Sequence, residues 1–147
     1  MKAGETGSLA AEALAKAEAE FEKVAEDYPD WVGGYLGALY KEFEAVKPRA
    51  ADMRLPNFHR INQLAHELKG QGGTFGYPLI TTFGKSLYDA TVGQCGTTDN
   101  HVEILKAHID AMQAVIKGRV KGEGGEIGAE LLKSLQSAIE KYSKAAG

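Results

Sequence analysis

His66 and Lys69 lie three residues apart in the stretch Ala65-His66-Glu67-Leu68-Lys69-Gly70-Gln71-Gly72-Gly73-Thr74-Phe75-Gly76. An imidazole is a good nucleophile near neutral pH because its ordinary pKa lies close by. A phosphoryl group on its ring nitrogen would lie about one helical turn from the Lys69 ammonium, which can offset the new negative charge. On a helix at about 100° per residue, Phe58, Ile61, Leu64, Ala65 and Leu68 share one face. His66 then points about 140° away from the centre of that face, toward water. His59, Asn62, Gln63, Lys69, Gly70 and Gly73 surround it on the outer side. A glycine inside a helix costs roughly 1 kcal/mol relative to alanine, so Gly70, Gly72 and Gly73 ask for a reason. For Gly70, too far from the turn to be a cap, the reason is clearance for a second protein that brings a phosphoryl donor or acceptor to the ring. Gly73 suits clearance and helix termination equally, and Gly76 reads as structural.

The run His66-Glu67-Leu68-Lys69-Gly70, then Gly73 and Gly76, then an amphipathic stretch with Leu79, Phe83 and Leu87, resembles the signature of histidine-containing phosphotransfer (HPt) domains. That signature reads H-x-L-K-G, with glycines three and six residues beyond the first, and a further helix. The motif spans His66 to Leu87, and the helical layout extends the likeness to most of the chain. The resemblance implies a phosphoryl carrier in a two-component phosphorelay. His66 would accept and donate the phosphoryl through Nε2, and Lys69 would stabilise its charge. The partners implied are receiver domains of response regulators and of a hybrid sensor kinase. The chemistry would be completed by the receiver, which supplies the Mg2+ and acidic residues, so no cofactor and no independent enzymatic activity are expected of this chain. Some family members place a glutamine 22 residues after the histidine to hold the imidazole. Here that position is Tyr88, whose hydroxyl can bond a ring nitrogen or a phosphoryl oxygen. Lys85, one turn earlier, is either a second cation or a solvated surface charge.

An exposed histidine and one lysine cannot hold a protein partner by themselves, because interface anchors are mostly apolar or aromatic. Phe75 and Tyr77, near the turn, are the expected anchors, with Phe75 alternatively closing the end of the fold. Asn62, Gln63, Gly70 and Gly73 complete the expected docking face.

The rest of the chain reads as helices that position this face. Apolar residues recur at helical steps over about 9–26 (Leu14, Ala17, Phe21, Val24), ended by Tyr28-Pro29-Asp30. A second helix runs from about Trp31 to Val46 on Val32, Tyr35, Leu36, Leu39, Tyr40 and Phe43. Gly33, Gly34 and Gly37 within it either admit a close helix neighbour or kink it. A linker covers 48–56, Asn57 can cap the His66 helix, and Pro78 opens the next, which runs to about Val92. Val102, Leu105, Ile109, Met112 and Ile116 mark a helix begun by Thr98 or Asp99. Ile127, Leu131, Leu135, Ile139 and Tyr142 mark the last, over about 126–143. The expectation is one all-α domain over residues 1–147. An antiparallel four-helix bundle at about 30–118 would carry packed N- and C-terminal helices.

A length of 147 residues suits one domain with a real core. A net charge of −3 without a basic stripe argues against nucleic acid. The single cysteine, Cys95, forms no internal disulfide and reads as a loop thiol in a reducing compartment. With no long apolar run and no signal-like segment, a monomeric cytoplasmic protein away from membranes is expected. His59/His66 and His101/His108 are each seven apart, about 10 Å along a helix and too far for one metal ion, so no metal site is expected. His59, His101 and His108 are expected to face solvent. No G-x-x-x-x-G-K-[ST] loop occurs, which argues against ATP-dependent kinase activity. Two other classes compete with the carrier. A non-phosphorylated helical adaptor could use the same face to bind a receiver or kinase. A cofactor-binding bundle would need inward-facing ligands, whereas His66 points outward.

Overall fold

Apolar residues at steps of three and four make helix the recurring element of this chain. The computed structural model describes the backbone of residues 3–146 and the side chains of residues 10–144 except 21, 24 and 25. Five α-helices appear: α1 Ala3–Val46, α2 Leu55–Gln71, α3 Pro78–Thr91, α4 Asp99–Lys117 and α5 Gly125–Ala146, with a short 3-10 turn at Ala51–Met53. Among the described residues there is no strand. No helix there is long and apolar enough to cross a membrane.

The expected break at Pro29 does not occur, and α1 is one helix of 44 residues. A proline inside a helix loses a hydrogen bond and crowds the preceding turn, at about 3 kcal/mol. Aromatic packing anchors the helix next to that point. Tyr28 is fully buried and stacks on Phe75 at 4.9 Å and Tyr77 at 5.6 Å between centroids. Burial also pushes the Tyr28 phenol up to about 12. N-terminal to Tyr28, every described side chain is exposed, Leu14 among them, so that half of α1 does not pack as expected. Phe21 and Val24 lie outside the described side chains. Gly33, Gly34 and Gly37 admit no close neighbour, since nothing lies within 4 Å of a Cβ built on any of them.

Contacts join α1 to α2 and α4, and α3 to α2 and α4, while α5 lies against α4. Val32, Leu36, Leu39 and Phe43 of α1 meet Phe58, Ile61 and Leu68 of α2 in one core with Phe83, Leu87, Leu105, Ile109 and Met112. Leu135 joins it from α5, with Leu131 and Ile139 partly buried beside it, whereas Ile127 is 59% exposed and off the stripe.

Two polar groups fix the ends of these elements. Arg54, 3% exposed, donates to the carbonyls of Val46 (3.0 Å), Lys47 (3.5 Å) and Thr97 (3.0 Å) and to Asp99 at 2.8 Å. It thereby ties the end of α1 to the start of α4, and the expected linker at 48–56 is an ordered crossing. Asn57 is no cap. It lies inside α2, buried, donating to Glu42 at 2.7 Å and accepting from Arg49 at 3.2 Å. Thr98 does cap α4, in a reciprocal box with His101.

His108 corrects another expectation: it is completely buried. Its Nδ1 donates to the Ile104 carbonyl at 2.8 Å, so its Nε2 accepts from the Ser86 hydroxyl at 2.8 Å. Burial pushes its pKa below the usual histidine value, with the Ile104 carbonyl opposing.

Gly84 sits where α3 crosses α2. A Cβ there would lie 2.8 Å from the Lys69 nitrogen and 3.3 Å from the Ala65 carbonyl oxygen, both backbone atoms that cannot step aside.

Gly84→Ala should lose about 1–3 kcal/mol in urea unfolding by overpacking, despite better helix propensity. Gly34→Ala, with open space at the same atom, should gain up to about 1 kcal/mol. For His108, the unfolded chain binds a proton more readily than the folded one. The stability this site supports is full above about pH 6.5 and falls as pH drops below that value. Unfolding measured from pH 8 to 5 should show that decline, and His108→Gln should flatten it.

Candidate functional site

The α2–α3 pair builds the outer face around His66. As numbering rises along α2, partners on the α3 side fall, so the two helices are antiparallel. His59 Nε2 meets the Gly93 carbonyl at 2.9 Å, Asn62 meets Tyr88 and Thr91, and Gly73 meets Thr81. Pro78 at the first turn of α3 and Gly76, with φ +88° in the left-handed region, make the reversal short.

His66 is exposed on this face. The chain has four histidines, and three are committed elsewhere. His59 donates to the Gly93 carbonyl, His101 closes the α4 cap, and His108 is held by Ser86 and Ile104. Among the described residues, no hydrogen bond reaches the His66 ring; its contact is with the Tyr88 ring, 5.7 Å between centroids and tilted by 45°.

Lys69 is half-buried, and its Nζ lies 4.1 Å from the centroid of the same Tyr88 ring. Such a cation–π contact contributes about 0.5–1 kcal/mol when exposed and about 2 when desolvated. Tyr88 thus joins His66 and Lys69 through its ring, and no hydrogen bond from its hydroxyl to the imidazole is present among the described residues. Lys85 is exposed one turn earlier on α3 and has no ion pair among the described residues.

Comparison with protein-family models, curated proteins and solved structures returns no match to this chain.

The expected docking residues divide. Gly70 is exposed with nothing within 4 Å of a Cβ built on it, so the surface beside His66 is clear. Gly73 is also exposed, with its N–H donated to Thr81 Oγ1 at 2.8 Å. Gln63 is exposed and lines the groove between α1 and α2 with Lys41 and Arg60. Three aromatic or polar residues have other work. Tyr77 is 0% exposed against Tyr28 and cannot be an anchor. Phe75 is half-buried between Tyr28 and Trp31, closing the end of the fold. Asn62 is half-buried, and its Nδ2 donates to the Tyr88 carbonyl at 2.9 Å and Thr91 Oγ1 at 3.2 Å, so it positions α3 instead of greeting a partner.

Gly84 and Thr81 were not anticipated from the sequence. A glycine amid the apolar stripe of α3 was the available signal for the first, since it costs helix propensity without a turn nearby. Gly72 is a second close approach, its Cβ position lying 2.6 Å from the Tyr77 carbonyl oxygen.

A cavity of about 490 Å³ lies elsewhere, between α3, α4 and α5, lined in part by Phe58, Cys95, His101 and Ile139. His66 is not part of its lining. Burial pushes the Cys95 thiol pKa up, away from reactivity. Among the described residues, no group of three or more His, Cys, Asp or Glu is placed to hold a metal ion.

Gly70→Gln should keep or raise the melting temperature, because the position is open and glutamine is the better helix former. The same change should slow reaction of His66 with a protein-borne phosphoryl donor. Unchanged transfer in a well-folded variant would mean that the clearance at Gly70 is not used.

Proposed function

We propose that this chain is an HPt-like phosphoryl carrier, passing a phosphoryl group between receiver-domain aspartates through His66. The observation that carries the reading is His66 itself. It is the one histidine left without a hydrogen bond among the described residues, beside an open glycine position and one turn from a lysine. On this reading the second half of α1 with α2, α3 and α4 is an antiparallel four-helix bundle, and α5 is an addition on α4. The contacts of α1 and α3 with both α2 and α4 support that arrangement.

The chemistry balances simply. The neutral imidazole uses its Nε2 lone pair to attack phosphorus, and the bond between phosphorus and the aspartyl oxygen breaks. The electron pair returns to the carboxylate, and the ring keeps its proton on Nδ1. The receiver contributes the Mg2+ that draws charge from the phosphoryl oxygens in flight. This chain contributes the nucleophile, a clear approach and the Lys69 ammonium. A charge-assisted hydrogen bond from Lys69 to a phosphoryl oxygen offers roughly 1.5–3 kcal/mol, against about 0.5–2 for the half-buried ring face. Lys69 therefore favours the phosphoryl once it is present.

The test is incubation with a panel of phosphorylated receiver domains. The parent should take up label that is acid-labile and base-stable, as a nitrogen–phosphorus bond is. His66→Gln should fold normally and take up none. Base-labile label, or label retained by His66→Gln, would overturn the assignment; a folded parent that no receiver labels would favour a non-phosphorylated adaptor.

A further inference from the structure

Tyr88 stands at a position from which its hydroxyl could bond the imidazole or a phosphoryl oxygen, yet its contacts with the site are made by its ring. The Lys69 ammonium sits over that ring at 4.1 Å from the centroid, and the His66 imidazole lies against it at 5.7 Å. The backbone that carries the ring is held at this point: the Tyr88 carbonyl accepts from Asn62, and one turn earlier Gly84 lies against the backbone of Lys69. The cation rests on an aromatic surface next to the nucleophile.

We propose that Tyr88 is a positioning residue that seats the Lys69 cation while His66 is empty and releases it to the phosphoryl oxygens when His66 is loaded. This rests on the carrier reading of His66 and adds a direction to it. Lys69 keeps all its protons and changes only its neighbour. A contact made only in the empty state stabilises the empty state. By linkage it loosens the hold on the phosphoryl and favours passing it on. A hydrogen bond from the Tyr88 hydroxyl to the phosphoryl would act in the opposite sense, holding the group in place.

The test compares the full-length parent with Tyr88→Phe, which keeps the ring, and Tyr88→Leu, which removes it. Proton NMR reads the seat without any phosphoryl chemistry. The Lys69 Cε protons should be shifted upfield by the ring in the parent and in Tyr88→Phe, and not in Tyr88→Leu. The second readout is the equilibrium ratio of phosphorylated carrier to phosphorylated receiver, using the receiver that charges the parent best in the panel. Tyr88→Leu should move that ratio toward the carrier by about twofold or more, the least that a cation–π contact supplies, and Tyr88→Phe should leave it where it was. Lost packing alone would weaken both states alike and leave the ratio unmoved, so an unmoved ratio in Tyr88→Leu overturns the proposal. A ratio that moves toward the receiver in Tyr88→Phe overturns it in favour of a hydroxyl bond to the phosphoryl. An unshifted Lys69 in the parent overturns the seat itself. If the upfield shift is present but no receiver charges His66, the carrier reading fails and the release falls with it, while the seat stands.

Discussion

The close approach of the α2 and α3 backbones is the constraint on which the site depends. At Gly84 and Gly72 there is no room for a side-chain carbon, because backbone atoms of the facing helix occupy the space. Gly84, inside α3, costs roughly 1 kcal/mol in helix propensity, while Gly72 lies just past the last residue of α2. Burying Leu68, Ile80, Phe83 and Leu87 contributes about 1.5–3 kcal/mol per side chain, so packing wins. The consequence reaches the surface. With Gly84 pressed on Lys69, Tyr88 lands one turn later beside His66, and the face acquires an aromatic ring in contact with both an imidazole and a cation.

Arg54 and His108 use their polar groups in a way that sets His66 apart. Arg54 and His108 are buried and fully engaged, because a buried polar group left without a partner is costly. Arg54 joins the end of one helix to the start of another, and His108 joins α3 to its own helix through Ser86 and Ile104. These are structural uses of residue types often associated with chemistry. His66 has no such use, and the structure leaves it solvated with its ring nitrogens uncommitted among the described residues.

Much of the helical layout was legible because amphipathic stripes are long and regular. Val102, Leu105, Ile109 and Met112 are buried as their spacing implies, and Pro78 begins α3. The failures share one cause, which is that tertiary partners are invisible to local pattern. Pro29 stops a helix in isolation, but Tyr28 is anchored by Phe75 and Tyr77 from far along the chain. Asn57 has the chemistry of a cap, yet Glu42 and Arg49 engage it inside the helix. The outward direction of His66 could be read from the helical wheel. The burial of Tyr77 against α1, the capture of Asn62 by α3 and the contact of Lys69 with Tyr88 could not, because each depends on how elements apart in sequence pack together.

The most direct measurement is phosphorus NMR of the purified chain, loaded with phosphoramidate and freed of excess reagent, before and after addition of Mg2+ and unphosphorylated receiver domains. If His66 is a carrier, one nitrogen-bound phosphoryl resonance should appear, map to His66, and vanish as a matching receiver takes up the group. A resonance that forms on another residue, or one on His66 that every receiver leaves untouched, would contradict it.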